Sequence, residues 1–142
     1  NKWDLVTKNS SSSRIFYKEI TGKFKSLQHY PTIFISALTK QRIHRVLEQA
    51  LAVHSRTIKK ISTNKLNELL KKILNKNPPQ SEHGKQIQIK YVTQVSTRPT
   101  VFALYTNYPK KIKTHYIRYL ENQFRENLDL EGVPIIFSFR KK

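Results

Sequence analysis

Cysteine is absent from the 142 residues, which excludes a disulfide framework and a thiolate metal site. Glycine occurs three times, and no Gly-x-x-x-x-Gly-Lys-(Ser/Thr) phosphate loop can be built from it. An Asp-x-x-Gly element for magnesium is likewise expected to be absent. No apolar run approaches the ~20 residues that a membrane-spanning helix requires. No signal-peptide pattern opens the chain, so the cytoplasm is the expected location. Acidic residues are scarce, with nine Asp and Glu against 27 Lys and Arg.

That imbalance gives a formal net charge of +18 and a pI near 10.3. Such a field attracts polyanions and speeds their encounter. Nucleic acid fits better than a membrane, because the cations are spread along the chain instead of gathered on one amphipathic helix. Hydrophobic residues make up 37% and charged ones 25%, the balance of a folded chain. At this length any core is modest.

Two parts are expected, meeting near Lys59–Ser62. In the first, Ser10–Ser13 is a loop or a helix start. Ile15, Phe16, Ile20, Phe24 and Leu27 then follow helical spacing to about Tyr30, where Pro31 stops it. Thr32-Ile33-Phe34-Ile35 has the apolar, β-branched character of a buried strand. Ile43, Val46, Leu47, Ala50, Leu51 and His54 repeat at three and four, predicting a second helix. Helix, strand, helix is a piece of a parallel α/β sheet.

In the second part, Ser62-Thr63-Asn64 caps a helix whose stripe is Leu66, Leu69, Leu70, Ile73 and Leu74. Alternation from Ile87 to Val95 predicts a strand, Arg98-Pro99 a turn, and Thr100–Thr106 a second strand. A helix is expected from Lys110 to about Leu128. Gly132 and Pro134 mark a turn before a last strand, Pro134–Phe139. The order is α-β-β-α-β.

Asn1-Lys2-Trp3-Asp4 fits Asn-Lys-x-Asp. A carboxylate in the plane of guanine accepts from its ring N–H and its exocyclic amine, a donor pair that adenine lacks. Asn secures the loop, and the Lys stem lies along the base. Ser36-Ala37-Leu38 follows the apolar strand, 32 residues after Asp4. In GTPases such an element offers a backbone N–H to the guanine carbonyl. Asn1, Lys2, Asp4, Ser36 and Ala37 are therefore the candidate base-recognition residues. Because the chain opens inside a motif, it is expected to be a piece of a longer protein, without GTP hydrolysis or tight nucleotide binding of its own.

These motifs, with Leu66-Asn67, Tyr91–Val95, Arg118–Asn122, Glu131–Ile135 and Phe139-Arg140-Lys141, are those of a known family. The chain resembles the carboxyl-terminal part of the bacterial Der (EngA) GTPases along essentially its whole length. The resemblance implies that residues 1–61 close the second G domain and that residues 62–142 form a KH-like domain. It implies a role in maturing the large ribosomal subunit, with ribosomal RNA as partner and docking on a G domain of the same chain. GTP or GDP with magnesium belongs to the intact parent, and no cofactor is expected here. The alternative is a standalone basic RNA-binding or ribosomal protein.

KH domains usually clamp RNA with a Gly-x-x-Gly loop. None occurs here, so charge must carry more of the contact. Lys111, Arg118 and Arg125 recur every seven residues and are expected to line one stripe of the last helix, with Lys110 and Lys113 at its start. Arg140, Lys141 and Lys142 add a basic tail. Tyr91, Tyr105, Tyr108 and Tyr119 are candidates for core packing or for stacking on bases. His29, His44, His54, His83 and His115 lack metal-ligand spacing. Glu126, Asp129 and Glu131 are read as serving a turn.

Overall fold

The computed structural model describes residues 1–7, 9, 11–81 and 84–142. They form two compact units, Asn1–Ser55 and Arg56–Lys142. Together they make a mixed α/β protein with four α-helices and one three-stranded sheet among the described residues. Ser10 and His83 lie outside them.

The first unit opens with a 3-10 turn, Trp3–Leu5. Helix α1 spans Ser12–Lys23. Its start is tied by Asn9, whose Oδ1 accepts from the Ser11 N–H (3.1 Å) and the Ser12 hydroxyl (2.8 Å). The helix expected to reach Tyr30 stops earlier. Gly22 weakens its last turn, and the Thr21 hydroxyl donates to the Tyr17 carbonyl at 2.8 Å. Phe24 then leaves helical geometry at φ −124°, ψ 78°, and Lys25–His29 winds as a 3-10 turn. Helix α2 spans Ile43–Ile58, so the second unit begins in its last turn.

The segment 32–35 forms no strand, contrary to its apolar pattern. A strand exists only through a ladder. Here the Trp3 N–H donates to the Ile35 carbonyl at 3.0 Å, and Ser36 makes one isolated bridge to Gln41. Ile33, Phe34 and Ile35 are only half-buried.

The second unit has the expected order. Helix α3 spans Thr63–Lys76, and the Ser62 hydroxyl accepts from the Lys65 N–H at its start. Strands β1 (Ile89–Thr97) and β2 (Thr100–Thr106) form a hairpin across a cis Arg98–Pro99 bond. Helix α4 spans Thr114–Asn127, and β3 (Ile135–Lys141) returns parallel to β2, giving sheet order β1-β2-β3. Both ends of the predicted first strand shift. The backbone on either side of Ile87 is held instead by Asn107, whose amide accepts from the Gln88 N–H and donates to the Gln86 carbonyl, both at 2.9 Å.

Leu66, Leu70, Val92, Phe102, Leu104, Leu120 and Phe124 form a core between the two helices and one sheet face. Phe124 meets Phe102 edge-on at 5.2 Å and Phe137 at 5.1 Å. At the outer edge of β1, Asn67 substitutes for a strand. Its Oδ1 accepts from the Val92 N–H and its Nδ2 donates to the Val92 carbonyl, both at 2.9 Å. This satisfies a buried backbone pair and blunts an exposed edge.

Candidate guanine loops and basic surface

The two predicted guanine loops meet. The Ser36 hydroxyl donates to Asp4 Oδ1 in a short hydrogen bond and accepts from the Thr39 N–H at 3.2 Å. Ser36 is fully buried. Asn1 Oδ1 accepts from the Lys2 N–H (2.7 Å) and, across the gap, from the Ala37 N–H (3.1 Å). The amide expected to meet the guanine carbonyl is thus already engaged by Asn1. Trp3 anchors the turn from below. It is buried, lies 4.6 Å from Phe34, and meets Phe16 at 5.5 Å.

Three non-glycine residues with positive φ flank these loops: Lys2 (60°), Lys40 (57°) and Arg42 (61°). Left-handed backbone at such residues costs energy and clusters at functional sites. The sequence reading missed the Trp3 anchor, the Thr39 amide and this strain. Trp3 was readable as a large apolar residue inside a polar motif. Lysine and arginine give no compositional sign of positive φ, as glycine or asparagine would.

The predicted basic stripe on the last helix does not assemble. Helix α4 begins at Thr114, and Lys110 and Lys111 lie in a preceding 3-10 turn, Pro109–Lys111. Pro109 suits the first position of that turn, and the helix starts afresh after extended Ile112 and Lys113. Arg118 is exposed on α4. Arg125 turns inward: its Nε donates to Glu121 (3.1 Å), and its Nη1 donates to the carbonyls of Leu130 (3.1 Å) and Val133 (3.0 Å). It fastens the turn around Gly132, whose φ is 75°.

The remaining cations gather at one end of the sheet. Lys85 Nζ lies 5.7 Å and Lys111 Nζ 5.8 Å from the Tyr108 ring centre. Lys110 and Lys113 are exposed beside them. The end of β3 packs against the same 3-10 turn, and the Lys142 N–H donates to the Thr106 carbonyl at 3.3 Å. Arg140, Lys141 and Lys142 are exposed there. Tyr119 packs against the core, and Tyr116 donates to the Asn77 carbonyl at 2.8 Å.

The spacing Asp-x-x-Gly does occur, at Asp129–Gly132, which the sequence reading overlooked. It is a turn: Asp129 and Glu131 pair with Arg56 at 2.7 and 3.3 Å. Among the described residues no group of three His, Asp or Glu is placed to hold a metal, and no helix is long and apolar enough to cross a membrane.

The α-β-β-α-β order with a β1-β2-β3 sheet defines a KH-like domain. Residues 60–140 match the family described as the KH-domain-like of EngA bacterial GTPase enzymes, C-terminal, and the chain belongs to that family. Over its full length it is 41% identical to the GTPase Der of Chloroherpeton thalassium, 43% to that of Amoebophilus asiaticus and 42% to that of Flavobacterium psychrophilum. It covers 33% of each of these relatives, so it spans about one third of their length.

Proposed function

We propose that this chain is the carboxyl-terminal part of a GTP-binding protein that acts in the cytoplasm on assembly of the large ribosomal subunit. Residues 1–61 close its second G domain, and residues 62–142 form the KH-like domain. The observation that carries the nucleotide half is the direct link between Ser36 and Asp4, reinforced by Asn1 reaching Ala37. A loop pair tied together across 32 residues supports this reading, because a carboxylate can accept from the two donors that guanine offers. Asn1, Lys2, Asp4, Ser36 and Ala37 fit a guanine base. No residue of this chain is assigned to phosphates or magnesium, so hydrolysis belongs to the parent.

The KH-like domain meets ribosomal RNA through the basic end formed by Lys85, Lys110, Lys111, Lys113 and Arg140–Lys142. Arg118 extends that surface, whereas Arg125 serves the fold. Docking on a G domain of the parent is a further role of this domain and can coexist with RNA binding. The reading is tested by titrating structured RNA against salt. The logarithm of affinity is expected to fall by roughly 0.7–0.9 per phosphate contacted for each decade of salt. A salt-insensitive affinity, or none at low salt, sinks it.

A further inference from the structure

Helices α3 and α4 cover one face of the sheet through Phe102 and Leu104 of β2. Tyr105 alternates with these residues, so it stands on the opposite face. Its register partner on β1 is Tyr91, and on β3 it is Arg140. The Tyr91 and Tyr105 rings stack at 4.3 Å with 14° between planes, and both are partly exposed. Lys142 Nζ lies 5.6 Å from the Tyr91 ring centre. None of the three strands contains an acidic residue. This face therefore combines flat π surface with cations and carries no carboxylate to repel a phosphate.

We propose that the Tyr91–Tyr105 pair, flanked by Arg140 and Lys142, is a stacking site for unpaired nucleotides of single-stranded RNA. This rests on the reading of the second unit as RNA-facing, but it assigns a different chemistry from the lysine cluster at Tyr108. Lysines hold phosphates of any strand, whereas a stacked ring pair accepts only a base whose face is free. Arg140 and Lys142 then meet the phosphates on either side of that base. Duplex RNA has no free base face and engages the lysine cluster alone.

The test compares a labelled single strand of about ten nucleotides, within the range of single-strand binding sites, with a duplex of equal length, using the full chain. Tyr105→Leu and Tyr91→Leu are each expected to weaken the single strand about tenfold, the effect of losing one base stack. Tyr105→Phe should hold affinity within about twofold, and duplex binding should stay unchanged in all three. Equal losses for both ligands, or no loss for either, overturn the proposal while leaving RNA binding through lysines intact. Wild-type chain irradiated with iodouridine-substituted single strand supplies a readout that needs no variant. Crosslinks at Tyr91 or Tyr105 are expected, and crosslinks confined to Tyr108 or to other aromatics overturn the proposal. Absence of RNA binding at low salt overturns both this site and the broader RNA reading.

Discussion

Helices α2 and α3 carry the same kind of sequence and meet opposite outcomes. Each has an apolar stripe at helical spacing. In α3 the stripe of Leu66, Leu69, Leu70 and Ile73 is buried beneath the sheet. In α2 the stripe of Ile43, Val46, Leu47 and Leu51 is exposed, with Leu47 at 68%. The two units differ in the same way. The second has a continuous core. The first buries Trp3, Ser12 and Ser36, while Ile15, Phe16, Tyr17 and Leu27 stay accessible. Amphipathic periodicity states what a helix needs, and whether the need is met depends on a sheet built elsewhere in the sequence. The second unit supplies that sheet from its own residues, Arg56–Lys142. The first has one extended segment without a ladder. If residues 1–61 close a G domain, the rest of that domain's sheet is what covers these faces.

The largest expected effect breaks the unit that packs. Phe124→Ala removes the ring that packs edge-on against both Phe102 and Phe137, and should cost ~3–5 kcal/mol in urea unfolding followed by circular dichroism. A loss below ~1 kcal/mol would mean that this cluster is not the centre of the core. Next comes Asn67→Ala, which leaves the Val92 N–H and carbonyl unpaired in the protein interior and should cost ~1–3 kcal/mol. Hydrogen exchange should show fast loss of protection at the Val92 amide, and unchanged protection there would sink the edge-plug account.

The second unit was nearly legible in advance because its signals were local. The turn at Arg98-Pro99 placed β2 at its observed bounds, Thr100–Thr106, and Ser62 gave the start of α3. The errors arose where an outside group overrode the pattern. Asn107 took over the backbone before β1, and Pro109 split the last helix from its lysines. Arg125 looked like a surface charge by spacing, but the Leu130 and Val133 carbonyls drew it inward. In the first unit, the motif residues identified the two loops and the structure brought them together. The expected strand at 32–35 failed because apolar content does not supply a partner.

A smaller effect separates burial from pairing. Burial, and secondarily the neighbouring Tyr119, push the Tyr116 phenol well above its ordinary value of about 10. The folded chain then holds this proton more tightly than the unfolded chain. Its contribution is fully present below pH ~10 and falls as pH rises above that value. Tyr116→Phe should cost about 1 kcal/mol at neutral pH, by losing the bond to the Asn77 carbonyl, and should lose less stability than wild type on going to alkaline pH. Parallel alkaline profiles for the two proteins would refute the assignment. Smaller still is Asp129→Asn. Its partner Arg56 keeps Glu131, and Asp129 is 59% exposed, so the cost should be ~0–1 kcal/mol and should shrink in high salt.

The smallest expected effect tests the comparison most directly. Leu47→Gln sits mid-stripe on α2 and would be ruinous at the matching position of α3. If the α2 face is open, as its exposure indicates, nothing is unpacked by the change, and stability should move by no more than ~0.5 kcal/mol. The substitution also removes one of the large side chains from an exposed apolar surface, so self-association at high concentration should fall in sedimentation velocity. A loss above ~1 kcal/mol at every protein concentration would show that the face is packed within the chain, and the contrast between the two helices would collapse. A loss that appears only as the protein is concentrated would instead identify a second copy as the cover. Stability unchanged in this chain but reduced in a longer protein with a complete sheet would locate the missing partner in the G domain, where α2 would then behave like α3.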